Sequence, residues 1–179
     1  MNEDGSVKFN VGGIDYGQGT YTVLAQIIAE RLHIPLEKVH VVNETNTDTA
    51  PYDWQTVASR MTVLAGNAII EACDDLVEQI YELGAIVLHA GKHELSIGDQ
   101  CVYVKQHPEN MLPYNKIAIG YVYSNGNSIG GPLIGRGKSI AQGLSFLDQA
   151  TGQGKPALDW TFGAHGIELE VDKNTGDIE

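Results

Sequence analysis

The sequence predicts an α+β fold: a mixed sheet with two main helices packed on one face, plus a long glycine-rich loop region. Three observations carry this reading. Apolar residues recur at helical spacing in two places, at Leu24, Ile27, Ile28 and Leu32, and in the repeats Val63, Ile70, Val77 and Gly66, Cys73, Ile80. Short alternating or β-branched runs lie before, between and after these helices, giving the order strand, helix, strand, helix, then several strands. From Ser124 to Trp160 the pattern dissolves, with glycines at 126, 130, 131, 135, 137, 143, 152 and 154. Loops of that length are uncommon inside a packed domain and are usually functional or unstructured. At 179 residues, 1–179 reads as a single domain, or as a fragment of a larger one, with 124–160 irregular.

The elements follow in order. Val7 to Val11 alternates as a strand, starting close to Met1. Gly12-Gly13-Ile14-Asp15-Tyr16-Gly17-Gln18-Gly19-Thr20 is then a glycine turn opening the first helix. That helix ends before Pro35, because the residue preceding proline prefers an extended backbone. Val39 to Val42 is a strand, and Thr45 to Trp54 a polar loop containing Pro51. The second helix runs from about Ala58 to Leu83. Gly66 inside it costs about 1 kcal/mol relative to alanine, which predicts close packing against a strand or helix. Ile86 to Leu88, Glu94 to Ile97, Cys101 to Lys105 and Ile117 to Tyr123 read as strands, with a hairpin turn at Gly98-Asp99. Ser139 to Leu147 has room for one or two helical turns. Ile167 to Val171 is the last strand, and Asn174-Thr175-Gly176-Asp177 a turn with little chain after it. The expectation from both ends is a piece of a longer chain.

Composition removes several function classes. The chain has 11 Lys and Arg against 23 Asp and Glu, a formal net charge of −12, and no basic stretch. Nucleic acid is recognised through clustered cations that displace counterions, so it is not an expected partner. An anionic membrane surface would repel the chain, and no apolar run approaches the length of a membrane span. Cys73 and Cys101 lie far apart without zinc-type spacing, and Cys73 falls on the apolar face of the second helix. A buried thiol in a reducing, cytoplasmic compartment is the expected state.

The glycine turn is the first candidate site. A strand–turn–helix start aims free backbone N–H groups at whatever lies above it and suits an anion. The second is Gln55 to Thr62, which opens the second helix, with Thr56 or Ser59 as its cap. Each follows a strand, so both helix starts are expected on one sheet edge, where two dipole ends would hold a ligand with more than one phosphate. Other motifs read as structural. Gly137-Lys138-Ser139 lacks the glycine five residues earlier that a phosphate loop needs, that place being Pro132. Gly17-x-Gly19 is followed by Thr22 where a dinucleotide fingerprint has glycine. His89 and His93 have helical metal-ligand spacing, but Gly91 stands between them and no third ligand is obvious. Asp74, Asp75, Glu78 and Glu82 read as a solvated acidic face.

At these residues the sequence resembles the molybdenum-binding large subunit of the xanthine dehydrogenase/aldehyde oxidase family, the molybdenum hydroxylases. Val11 to Thr22 resembles the family's glycine–glutamine–glycine cofactor segment, followed at the family's spacing by Gln26 and Leu32-His33-Ile34-Pro35. Asn46-Thr47-Asp48-Thr49-Ala50-Pro51 with Thr56 to Thr62 resembles its second cofactor loop. Trp160 to His165 with Glu168 to Gly176 resembles a strand-and-turn signature of the same domain. The ordered set spans nearly the whole chain.

The resemblance implies a molybdopterin cofactor with molybdenum, in bacteria often as the cytosine dinucleotide. It implies that Gly17, Gln18 and Gly19 contact the pterin side, with Gln18 supplying the side-chain hydrogen bonds. Ala58 would lie close to the metal, and Thr56, Ser59 and Thr62 would offer hydroxyls and helix-start amides. Some relatives carry alanine where Val57 stands, which alters pocket size there. The implied reaction is oxidative hydroxylation of a heteroaromatic or aldehyde substrate, with water as oxygen source and a glutamate as base. That glutamate belongs to a glycine-rich motif without counterpart before Glu179, and the family's upstream phenylalanine-glycine-glycine motif is missing too. The implied partners are the remainder of the molybdenum-binding subunit and iron–sulfur and FAD subunits or domains. Two readings follow: a cofactor-binding part of a molybdenum hydroxylase, inactive alone, or a non-catalytic binding or assembly domain that keeps the fold without the metal.

Overall fold

The computed structural model describes residues 1–42, 46–158 and 163–179. Its elements are β1 (Val7–Phe9), α1 (Thr20–Leu32), β2 (Val39–Val41), α2 (Arg60–Val87), β3 (Leu95–Gly98), β4 (Cys101–Val104), β5 (His107–Pro113), β6 (Tyr121–Val122) and β7 (Ser128–Ile129). The α+β class is observed, and the strands divide into a parallel pair β1-β2, an antiparallel trio β3-β4-β5 and an antiparallel pair β6-β7.

The parallel pair positions the site. Val7, Lys8 and Phe9 align with Val39, His40 and Val41, and the Val42 N–H continues the pairing onto Phe9 O at 2.8 Å. α1 is the crossover between them. It buries Leu24, Ile28 and Leu32 against α2, the face its apolar spacing predicts. Parallel pairing puts the carboxyl ends of both strands on one edge, which is where open α/β sheets receive ligands.

α2 buries Gly66, Cys73, Leu76, Ile80 and Leu83, which includes the expected seam of Gly66, Cys73 and Ile80. A Cβ at Gly66 would stand 3.3 Å from Ile27 Cδ1, so the glycine lets the two helices approach closely. Burial pushes the Cys73 thiol up to about 12, leaving it protonated and unreactive. α2 continues through Ile86, which removes the strand expected at Ile86 to Leu88. His89 ends this helix in the left-handed conformation (φ 53), and the Ala90 N–H closes back on Ala85 O at 3.1 Å. Among the described residues no group of three or more His, Cys, Asp or Glu converges to hold a metal ion.

The trio β3-β4-β5 turns at Asp99-Gln100, one residue beyond the expected position. Gly98 pairs with Cys101, and Asp99 (φ 46) and Gln100 (φ 62) both have the positive φ of a two-residue primed turn. Tyr114, fully buried, donates its hydroxyl hydrogen to Leu32 O at 3.1 Å and ties this sheet to the end of α1. The run from Ile117 to Tyr123 forms only the two-residue β6. No helix among the described residues is long and apolar enough to cross a membrane.

Residues 124–160 contain β7 and otherwise no regular element among those described; Ser139 to Leu147 forms no helical turn. Residues 134–138 are largely exposed on their outer side but nevertheless dock on α2, following the buried Leu133. They lie extended along α2, with the N–H groups of Ile134, Arg136 and Lys138 donated to Gln79 Oε1 (3.3 Å), Asp75 Oδ2 (2.9 Å) and Glu71 Oε2 (2.9 Å). The acidic face of α2 is thus partly a row of acceptors. Its other members form surface ion pairs, Asp74 with Arg31 and Glu78 and Glu82 with Lys92. Gly137-Lys138-Ser139 is accordingly part of a packed strip and not a phosphate loop. The turn at 174–177 closes on the chain's own Ile178, which bridges Val171, while the signature at Trp160 to Phe162 lies outside the described residues.

Candidate functional site

The glycine turn after β1 and the loop after β2 fold against each other. The Ile14 N–H donates to Thr56 Oγ1 at 3.0 Å, and the Tyr16 hydroxyl donates to Thr56 O at 2.8 Å. Gly13 meets Met61, where a Cβ would stand 2.0 Å from Met61 Cε, and Gly12 lies against Pro51. Thr56 therefore links the two loops, and its hydroxyl is not spent on capping α2.

Between the loops lies a cleft of about 280 Å³, lined by Tyr16, Gln18, Thr20, Val23 and the run from Thr56 to Thr62. Of the residues expected from sequence, Gln18, Thr56, Ala58, Ser59 and Thr62 come together here. Gly17 and Gly19 shape the turn beside the cleft and are not among its lining. Sequence reasoning missed Tyr16, Asp15 and Arg60. An aspartate two residues before a glycine at a helix start is the signal for a side-chain-closed turn, and it was legible.

The turn is satisfied from within. Asp15 Oδ1 accepts the N–H groups of Gly17 (2.9 Å) and Gly19 (3.2 Å), and its Oδ2 accepts that of Tyr21 (3.1 Å). These bonds, chiefly those from Gly17 and Tyr21, hold the Asp15 carboxyl below the usual carboxylate range. The anion cradle expected at the start of α1 is thus filled by the chain's own carboxylate. Gln18 is held at both ends: its Oε1 accepts from Tyr16 N at 2.9 Å, and its Nε2 donates to Ile14 O at 3.0 Å and Thr20 Oγ1 at 2.9 Å.

The start of α2 is built differently. Ala58 (φ 53) and Ser59 (φ 57) stand in succession in the left-handed region. Non-glycine residues there cost about 1 kcal/mol or more each, and such strain collects where backbone is shaped for a ligand. Arg60 secures this turn. Its Nη1 pairs with Asp53 Oδ1 at 2.8 Å, it also bonds Gln55 O, and the guanidinium lies 5.7 Å from the centre of the Trp54 ring. Asp53 Oδ2 is buried without a hydrogen-bond partner among the described residues. Arg60 is the one cationic side chain among the described residues lining the cleft, and no carboxylate lines it. Replacing Thr56 by valine keeps the shape but removes the acceptor for Ile14 N. We expect a loss of about 1 kcal/mol in stability, read as a shift in the denaturation midpoint; an unchanged midpoint would deny Thr56 its linking role.

Comparison with known proteins gives this cleft a context. A family model described as the molybdopterin cofactor-binding domain matches residues 1–179. The chain is 32% identical over 112 residues to a xanthine dehydrogenase molybdenum-binding subunit of Escherichia coli, covering 63% of this chain and 15% of that protein. It is 29% identical over 175 residues to xanthine dehydrogenase 1 of Arabidopsis thaliana, covering 98% of this chain and 11% of that one. Among solved structures, a reconstituted CO dehydrogenase from Oligotropha carboxidovorans matches with a TM-score of 0.69 and 30% identity, over 79% of this chain and 18% of that chain. The chain thus spans a small part of the length of the relatives it matches.

Proposed function

The chain belongs to the family of molybdopterin cofactor-binding domains, and from that premise we propose that it forms one wall of the cofactor site in a molybdenum hydroxylase. The observation that carries this is the meeting of both expected cofactor segments on a single cleft. The lining also fits such a group. Gln18 Nε2 spends both hydrogens inside the turn, so a pterin N–H suits the second lone pair of Gln18 Oε1, and a phosphate suits the hydroxyls of Thr56, Ser59 and Thr62 with Arg60 beside them. At about 280 Å³ the cleft holds part of a cofactor, so residues beyond this chain would complete the enclosure.

When bound, the molybdenum cofactor supplies the redox chemistry for inserting a water-derived oxygen at an electron-poor C–H. The work of this chain is binding and orientation. Gln18 would fix the pterin edge, the strained Ala58-Ser59 turn would bring backbone close to the metal end, and Arg60 would balance negative charge. A heteroaromatic or aldehyde substrate is the class proposed. No carboxylate lines the cleft among the described residues, so the base would come from elsewhere in the enzyme and residues 1–179 alone would be inactive. In this reading Gly17 and Gly19 act by shaping the Gln18 loop, and the cofactor is the cytosine dinucleotide or the plain molybdopterin.

The proposed partners are the remainder of the molybdenum-binding subunit and iron–sulfur and FAD subunits or domains. Large apolar side chains exposed at Ile140 (76%), Phe146 (99%) and Ile167 (84%) support the first of these. The full-length gene product, made in a host that synthesises the cofactor, is expected to carry close to one molybdenum per polypeptide. Gln18→Ala is expected to lower that content on the order of tenfold, the equivalent of one lost hydrogen bond. A wild-type product without molybdenum would remove this reading.

A further inference from the structure

We propose that Asp15 is a positioning residue: its carboxylate gathers two backbone N–H groups of the glycine turn and one of the first turn of α1, and so fixes the loop that presents Gln18 to the cleft. What Gln18 meets rests on the cofactor reading above; the geometry of the turn does not. Gly17 (φ 119) and Gly19 (φ 77) give the chain conformations that no side chain restrains, and a Cβ at either would meet nothing within 4 Å. Packing therefore does not hold the turn at Gly17 and Gly19, whereas its earlier half from Gly12 to Tyr16 is held against Pro51, Thr56 and Met61. Two glycines also carry a large conformational entropy that something must offset. The bonds from Gly17, Gly19 and Tyr21 to the two Asp15 oxygens supply that restraint.

The Gln18 side chain depends on the same shape. Its three partners are Ile14 O, Tyr16 N and Thr20 Oγ1, which flank Asp15 or lie at the helix start that Asp15 closes. If the turn opens, those partners separate and the amide loses its orientation. The carboxylate also meets the positive end of the α1 dipole. The turn then offers a ligand an oriented amide oxygen, the second lone pair of Gln18 Oε1, in place of free N–H groups.

The test uses the full-length gene product with Asp15→Ala, Asp15→Asn and Gln18→Ala, measuring hydrogen exchange of the Gly17, Gly19 and Tyr21 amides and molybdenum and pterin content per polypeptide. Asp15→Ala is expected to speed exchange of the three amides on the order of tenfold, the worth of a charge-assisted hydrogen bond, and to lower cofactor content as far as Gln18→Ala does. Asp15→Asn keeps one oxygen acceptor, so it is expected to lie between; it also serves where the alanine variant fails to fold. The pH dependence has a definite sign. The folded carboxyl is lowered from 3.8, so protection relative to intrinsic exchange is complete above 3.8 and is lost as pH falls through the lowered value. Unchanged exchange in Asp15→Ala, or wild-type cofactor content in Asp15→Ala when Gln18→Ala is depleted, overturns the inference and leaves the cofactor reading standing. Wild-type content in Gln18→Ala removes that role of Gln18, and this inference with it.

Discussion

Gly137→Val is expected to lift residues 134–138 off α2 and destabilise the chain by about 2–4 kcal/mol. A Cβ at Gly137 would stand 1.8 Å from Ala68 O and 2.5 Å from Ala72 N, and one at Gly135 would stand 2.1 Å from Ala72 O. Those are backbone atoms of a 28-residue helix and cannot move aside. The strip fits because two extended residues advance about 6.6 Å and four helical residues about 6 Å. Alternate N–H groups therefore meet Glu71, Asp75 and Gln79 in turn while the glycines face the helix. Undocking would lose those bonds and expose Leu76. Arg136 and Lys138 place two trypsin sites in the strip, so the variant should be cut there well before the wild type. Equal cleavage and an unchanged urea midpoint would show that the strip contributes nothing to the fold. Removing residues 139–158 alone should cost far less, since the row of N–H bonds onto α2 ends at Lys138.

Gly12→Ala is expected to be the most damaging single-methyl change at the cleft. The added Cβ would stand 2.0 Å from Pro51 O and 2.9 Å from Asp53 N, both backbone. Relief requires the Pro51–Asp53 segment to withdraw, and Asp53 holds Arg60 at the mouth of α2. A loss of about 2–3 kcal/mol and a cofactor content reduced by on the order of tenfold or more should follow. Gly13→Ala is the internal control. Its Cβ would stand 2.0 Å from Met61 Cε and 2.6 Å from Met61 Sδ, the far end of a flexible side chain that can swing away. Its cost should stay near or below about 1 kcal/mol. Thermal melts and metal analysis of both variants decide the matter; equal losses would mean that loop contact at Gly12 does not support the site.

Much of the architecture was legible because it rests on local period. The 3.6-residue spacing of Leu24, Ile28 and Leu32 and of Gly66, Cys73 and Ile80 reports a buried helical face directly. β5 was not legible. His107–Pro113 is an edge strand with only Leu112 buried, so it carries almost no alternation, and its Pro108 argues against a strand unless the edge is known. Ile86 to Leu88 has a strand's composition but continues a helix already nucleated, where extension is favoured over a restart.

The site divides along the same line. Gln18, Thr56, Ala58, Ser59 and Thr62, expected together from segment resemblance and helix-start chemistry, line one cleft. The roles of Asp15 and Arg60 were not identified. The Asp15 bond to Gly17 was legible as a local turn two residues long, while its reach to Tyr21 needs the turn already folded, and Arg60 acts through a loop aspartate whose pairing no spacing rule fixes.

The sequence by itself determined the α+β class, both helices, the two segments of the cleft and the family, because periodicity and motif order are properties of neighbouring residues. Tertiary structure decided that the two segments, expected on one edge, are joined there through Thr56, and that Gly135-Arg136-Gly137 is a packing strip. Each depends on which backbone groups approach across tens of residues, and such contacts are set by the packing of β1, β2 and α2 together.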